Sequence, residues 1–249
     1  MLDFSNKYIL ITGASSGLGR ALSIELDGYG ANLVLTGRNE LELQNTLASL
    51  NGKNHAVFSH DLNEISQLPI LLEKIFLNKL TYDGFVHCAG VHTFLPINLL
   101  KIDDISTAFH VNVYAPFLII KEFSRKNNFN PNASIVLISS VMASLGSSSL
   151  SVYSSSKSAQ LGLVKSLAVE LANKKIRVNS ISASLLESKI LDKVKTKTSK
   201  DSFHEIENKH LLGLGSYDDV IPSIVHLLSD KGSWITGSNM IIDGGYSSW

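Results

Sequence analysis

The chain has 249 residues, 44 % of them hydrophobic, enough for a large core and, at this length, commonly a single α/β domain. Lys+Arg and Asp+Glu both number 22, so the formal net charge is zero and no basic excess points to a nucleic-acid partner. A single cysteine, Cys88, excludes an internal disulfide framework and a Cys-based zinc site. Asp3, Asn6 and Lys7 interrupt the start where a secretory signal would be apolar, and no run approaches the roughly 18 apolar residues of a membrane span; the expectation is a cytoplasmic protein with no membrane partner.

The first element is Tyr8–Ile11, a continuous apolar run of the kind buried on both faces of a parallel sheet. It leads directly into Thr12-Gly13-Ala14-Ser15-Ser16-Gly17-Leu18-Gly19, and a helical pattern follows through Leu22 and Leu26. Strand, glycine-rich turn and helix form a phosphate-binding arrangement. Glycines let the backbone approach a diphosphate, and the helix N-terminus offers free N–H groups and partial positive charge. The spacing is G-x-x-x-G-x-G rather than G-x-G-x-x-G.

A second strand, Asn32–Thr36, ends at Gly37-Arg38. In a dinucleotide fold an acid here would hold the ribose 2′-hydroxyl, whereas an arginine accommodates a 2′-phosphate. Thr36, Gly37 and Arg38 offer no acid, so Arg38 favours NADP over NAD; the plain alternative is a solvated loop arginine. Glu40–Leu50 reads as a helix, Ala56–Leu62 as a strand with Asp61 at its end, and Pro69–Asn78 as a helix. Phe85–Gly90 reads as a fourth strand. Ile105–Asn128 is one long helical pattern that Pro116 is expected to kink, with the polar Asn112 among apolar neighbours and in need of partners.

Ser134–Ile138 is the fifth strand and ends on Ser139-Ser140. The helix expected over Tyr153–Ala172 opens with Tyr153 and Lys157, which at i and i+4 share a face. A nearby ammonium favours phenolate and lowers a tyrosine pKa, so the pair suits proton transfer near neutrality; such pairs also arise as plain surface neighbours. Arg177–Ser182 is a sixth strand, Asp218–Leu228 a helix, and Asn239–Gly245 a final strand and turn. The polar, lysine-bearing stretch Ser188–His210 reads as a mobile lid or solvated helices, part of a substrate lid around 185–212. Strands alternate with helices throughout, which predicts an α/β fold: one Rossmann-like domain over 1–249, a doubly wound parallel sheet with helices on both faces.

Taken together, these pieces resemble the short-chain dehydrogenase/reductase family over essentially the whole chain. The matching residues are T-G-A-S-S-G-L-G, Asp61, the A-G of strand four, the N-V of F-H-V-N-V-Y, the serine pair, Y-S-S-S-K, R-V-N-S-I and I-T-G…D-G-G. The resemblance is closest to ketoacyl-reductase-like members, and it implies hydride transfer between a nicotinamide and a carbonyl or alcohol. It implies that Tyr153 protonates the carbonyl oxygen and that Lys157 tunes Tyr153 and holds the nicotinamide ribose. The family serine lies thirteen residues before the tyrosine, which selects Ser140 over Ser139 as the hydrogen-bond partner of the substrate oxygen. Asn112 would order a water in a proton relay. Gly13, Ser15, Ser16, Gly17, Leu18 and Gly19 would wrap the diphosphate, Asp61 and Leu62 would meet the adenine, and Ala89 and Gly90 a ribose. Ser188 stands where a threonine often meets the nicotinamide amide. The family also pairs its two long helices between subunits, which implies a homotetramer or homodimer.

Two departures bear on loop geometry. His87-Cys88 replaces the family's usual asparagine pair before Ala89-Gly90, and Ala183-Ser184 replaces a usual Pro-Gly. Candidate substrate-lining residues are His92, Met142, Leu145, Leu185 and Leu186, mostly apolar, for which ordinary packing is the alternative. A non-catalytic dinucleotide-binding or sensor protein is the competing function; intact Ser140, Tyr153 and Lys157 weigh against it. A sugar-nucleotide epimerase is disfavoured by the short C-terminal region.

Overall fold

Seven expected strands become seven parallel strands in the computed structural model, which describes residues 2–77, 81–197 and 199–249. They are β1 Tyr8–Thr12, β2 Asn32–Gly37, β3 Ala56–Ser59, β4 Tyr82–His87, β5 Phe129–Ser140, β6 Arg177–Ala183 and β7 Asn239–Ile242. The order across the sheet is β3-β2-β1-β4-β5-β6-β7. The direction of strand succession reverses between β1 and β4, and a crevice opens outside the C-terminal strand ends at such a switch point. Thr12, His87 and Ser140 all end their strands at this edge.

Alternation along the strands builds two cores. Leu10, Phe85, Ile135, Leu137 and Val178 face one side; Ile9, Ile11, Leu33, Leu35, Val86, Val136 and Ile181 face the other. On the first side the sheet is covered by α3 Leu68–Phe76, α5 Ala115–Phe123 and α6 Ser151–Glu170, and α4 Ile102–Phe109 packs against α6. The second side is covered by α1 Gly17–Gly28, α2 Glu40–Ala48 and α9 Tyr217–Leu228. Each fully buried Leu, Ile or Phe contributes about 1.5–3 kcal/mol relative to exposure. Arg177 at the start of β6 fixes the far end of α9. Its guanidinium donates to the carbonyls of Leu227 at 2.6 Å and Ser229 at 3.2 Å, a cation on the negative end of a helix.

The element sequence follows expectation, and several details do not. β3 stops at Ser59, so Asp61 lies in a turn beyond the strand, where its carboxylate accepts from the Asn63 amide at 2.9 Å. β4 stops at His87, which leaves Ala89-Gly90 in a loop. The helix expected to Asn78 ends at Phe76, and Asn78 lies outside the described residues.

The largest difference is the expected helix Ile105–Asn128, which is α4, a five-residue π-turn His110–Tyr114, and α5. Pro116 sits in the first turn of α5 rather than at a mid-helix kink. A continuous α-helix would need the residue-116 amide to bond the Asn112 carbonyl, and proline has no N–H. The π-turn absorbs that mismatch one turn earlier, and the Asn112 carbonyl is left for another donor.

The stretch after β6 forms two helices, α7 Lys189–Lys197 and α8 Lys200–Asn208. It is not wholly solvated, because Leu191 and Val194 are buried. Leu186 bridges to Gly215, and the Ser184 hydroxyl lies 2.8 Å from His210 Nε2, so both ends of this excursion are fastened. Ser184 thus gives the chain a side-chain anchor where the family usually has Pro-Gly. Among the described residues, no helix is long and apolar enough to cross a membrane.

Candidate active site

The glycine turn sits between β1 and α1 and is held from several sides. The Ala14 amide donates to the Thr36 carbonyl at 3.1 Å, and its carbonyl accepts from Thr46 Oγ1 at 2.9 Å. Arg20 donates to the Ser15 carbonyl and pairs with Glu42 on α2. Gly19 is required for close approach, since a β carbon there would run into the Gly13 carbonyl. Ser16 occupies the N-cap of α1 without a side-chain cap bond, and no acidic residue stands in the first turn. The helix end therefore presents amides and partial positive charge to an anion, which fits a dinucleotide diphosphate. Gly13, Ser15 and Ser16 lie in this turn, and Gly17, Leu18 and Gly19 are the first residues of α1.

Arg38 follows β2 and is largely exposed; its Nη1 lies 3.7 Å from an Asp61 carboxylate oxygen. The ends of β2 and β3 are neighbours, so the acid that is missing beside Arg38 in sequence is supplied in space. Leu62 is buried, next to Asp61. Gly90 faces Lys157, and the Ala89 backbone lies against Gly13. A point one bond from the Gly90 Cα, where a β carbon would stand, is 3.5 Å from both Lys157 Nζ and Asn112 Oδ1.

Ser140, Tyr153 and Lys157 come together at the end of β5 and the start of α6. Ser140 hydrogen-bonds with Tyr153, and its oxygen accepts from the Met142 amide at 3.2 Å. Ser139 turns the other way and donates to the Lys157 carbonyl at 3.2 Å, so the serine at the cleft is Ser140. Lys157 is 4 % exposed; its Nζ donates to the Ile138 carbonyl at 2.7 Å and lies 5.9 Å from the Tyr153 ring centroid. Burial lowers the Lys157 pKa to about 8, with proximity to Cys88 opposing that shift.

The Tyr153 pKa moves upward, against the direction expected from the i, i+4 pairing. Desolvation of the half-buried phenol is the larger cause, and the Ser140 hydrogen bond opposes it. The ammonium bonds a carbonyl at the edge of the sheet, and its approach to Tyr153 is to the ring.

Asn112, in the π-turn, is fully buried and well partnered. Its Oδ1 accepts from the Val91 amide at 2.8 Å, and its Nδ2 donates to the Val91 carbonyl at 3.0 Å and to Ser156 Oγ at 2.9 Å. Its main-chain carbonyl, which Pro116 cannot engage, accepts from Gln160 Nε2 at 2.7 Å. Asn112 therefore fastens the loop after Gly90 to α6, one turn from Lys157. Both amide hydrogens are engaged, so a water at Asn112 would have to donate to an oxygen.

His87 does the bracing expected of an asparagine. Burial drives its pKa down to about 3, so the ring is neutral. Its Nε2 lies 3.1 Å from the Val111 carbonyl, which makes Nε2 the protonated nitrogen, and Nδ1 then accepts from Thr12 Oγ1 at 2.9 Å. Thr12 Oγ1 in turn accepts from the Ala89 amide at 3.4 Å. One chain of bonds thus joins β1, the loop after β4 and the π-turn. Sequence reasoning missed His87, Ser156 and Gln160 as braces. The last two were visible as buried-face partners only through their i+3 and i+7 spacing from Tyr153.

Of the candidate lining residues, His92 is nearest the chemistry, with its ring centroid 4.6 Å from that of Tyr153. Met142 lies in the turn after Ser140 and is partly exposed, as is Leu145. Leu186 packs on the second core, which is ordinary packing. Ser188 precedes α7 and hydrogen-bonds with Tyr217.

The profile of a family described as enoyl-(acyl-carrier-protein) reductase matches residues 13–247. A 3-oxoacyl-[acyl-carrier-protein] reductase of Rickettsia conorii is 30% identical over 248 residues, 98% of each chain. An L-xylulose reductase of Caenorhabditis elegans is 30% identical over 256 residues, 99% of this chain and 98% of that one. Among solved structures, 4-hydroxyisoleucine dehydrogenase complexed with NADH is similar with a TM-score of 0.90 at 28% identity, over 98% of this chain and 100% of that one.

Proposed function

The chain belongs to the short-chain dehydrogenase/reductase family and is an NAD(P)-dependent oxidoreductase, and from that premise we propose that it interconverts a small carbonyl compound and its alcohol, with Tyr153 as the acid–base group and NADP as the preferred cofactor. The observation that carries the reading is the meeting of Ser140, Tyr153 and a buried Lys157 beside the glycine turn. A bound nicotinamide supplies or takes the hydride. Ser140 and Tyr153 present two hydroxyls to one oxygen, where negative charge develops as a carbonyl is reduced. Lys157 holds a positive charge behind the phenol and beside Gly90, at the place a ribose would need a donor. Asn112 keeps Val91 and α6 in register, and its oxygen lone pairs are what a relay water could bond.

The apolar lining and His92 suit an acyl or aliphatic carbonyl, and we assign 185–212 as the lid over it. Residue 198 of this segment lies outside the described residues. Turnover is tested by screening carbonyl compounds for loss of NADPH absorbance. Tight cofactor binding with no turnover across a broad panel would move the reading to a dinucleotide-sensing protein. The lone thiol, Cys88, is in keeping with a reducing cytoplasm.

NADP preference rests on Arg38, with its pairing to Asp61 as the opposing consideration. Arg38→Ala is expected to weaken NADPH binding by about tenfold, the value of one charge-assisted hydrogen bond, and to leave NADH nearly unchanged. Calorimetric titration reads both. Equal losses, or tighter binding of NADH by the unsubstituted protein, would reverse the assignment.

Assembly as a homotetramer or homodimer is supported by apolar side chains left exposed on α4, α5 and α6: Ile102, Phe117 and Val169. Sedimentation at micromolar concentration should show a dimer or larger. A monomer throughout would contradict it.

A further inference from the structure

Tyr217 opens α9 and stands at neither the serine–tyrosine–lysine cluster nor the glycine turn, yet it touches the second. A β carbon built on Gly17 would lie 3.2 Å from the Tyr217 hydroxyl oxygen. Gly17 is the first residue of α1 and holds a φ of +56°, so the phenol lies against the open, electropositive end of that helix. The same hydroxyl hydrogen-bonds with Ser188, the residue before α7. One phenol thus spans from the N-terminus of α1 to Ser188, in the lid just before α7.

The frame around it is held by hydrogen bonds and packing. Ser216 caps α9, its amide donating to an Asp219 carboxylate oxygen at 2.6 Å and its hydroxyl at 2.8 Å. The Tyr217 ring packs on the second core, and α9 packs along α1. Arg177 holds the other end of α9. Burial raises the Tyr217 pKa, so the hydroxyl keeps its proton at neutral pH and can donate it to an anion. A phenylalanine would fill the same space; only the hydroxyl reaches both partners.

We propose that Tyr217 is a ligand of the cofactor diphosphate, donating to one of its oxygens at the N-terminus of α1 and tying that end of the cofactor to the start of the lid through Ser188. The proposal rests on the dinucleotide reading above.

The test compares the full-length protein with its Tyr217→Phe variant in titrations with two probes. ADP-ribose carries the diphosphate; adenosine 2′-monophosphate carries the adenosine end without it. The variant is expected to bind ADP-ribose about tenfold more weakly, as for loss of one hydrogen bond to a charged group, and adenosine 2′-monophosphate equally well. Unchanged ADP-ribose affinity in the variant overturns the proposal. Equal losses for both probes overturn it too, since a distorted site rather than a missing diphosphate contact would explain them. Failure of the unsubstituted protein to bind ADP-ribose or NADPH at all is a different result: it removes the dinucleotide reading, and this inference with it.

Discussion

Tyr153→Phe is expected to leave NADPH binding largely intact and to cut turnover by about 10²–10⁴-fold, the range for losing general acid–base catalysis. The substitution keeps the ring, and with it the contacts to His92 and to the Lys157 ammonium, and removes the hydroxyl that carries the proton. Ser140 remains, so one hydrogen bond to the substrate oxygen survives and the residual rate is not zero. Because burial holds the Tyr153 pKa above its usual value, the phenol is protonated at neutral pH, which suits carbonyl reduction. Alcohol oxidation needs the phenolate, so its rate relative to that of reduction should climb as pH rises toward the tyrosine pKa. The assay requires an identified substrate. Given one, a Tyr153→Phe enzyme with near-unaltered turnover would remove Tyr153 from the chemistry.

Much of this site is legible in sequence because the chemistry leaves local marks. A glycine turn needs residues without β carbons, and Gly19 pressed against the Gly13 carbonyl shows why. Strands buried on both faces tend to be continuously apolar, so β1 and the Leu33–Leu35 run of β2 announce themselves, whereas β6 buries Asn179, Ser180 and Ser182. Tyr153 and Lys157 share a helix face at i and i+4. What is not legible depends on contacts between distant segments. The pairing of Arg38 with Asp61 follows from β2 lying beside β3, and no periodicity reports it.

The π-turn is invisible for a related reason. One extra residue in a helical turn barely disturbs an apolar pattern, while it sets the Asn112 side chain toward Val91 and its carbonyl toward Gln160. Composition also misled at the lid, where a lysine-rich stretch reads as solvated although Leu191 and Val194 anchor it. The upward shift of the Tyr153 pKa belongs here as well: the i, i+4 rule supplies the nearby ammonium, and only burial tells which influence is larger.

Lys157→Met should impair both turnover and cofactor binding, turnover by about 10²-fold or more and NADPH affinity by about tenfold. Methionine keeps most of the buried stem and removes the charge, so lost packing is not the cause, as it could be for alanine. The pH dependence separates this role from a merely structural one. In the free protein the ammonium titrates at about 8, far below the ordinary lysine value of 10.5. Affinity that depends on it should fall as pH rises through 8 in the unsubstituted protein and stay level in the variant. Stability moves in the opposite sense. A depressed lysine pKa means that the unfolded chain binds the proton more tightly, so the buried ammonium weighs against folding below pH 8 and is relieved between 8 and 10.5. The melting temperature of the unsubstituted protein should therefore gain on that of Lys157→Met over this interval. A variant that binds NADPH as tightly as the unsubstituted protein at pH 7, with the same slope above pH 8, would show that Lys157 holds no part of the cofactor.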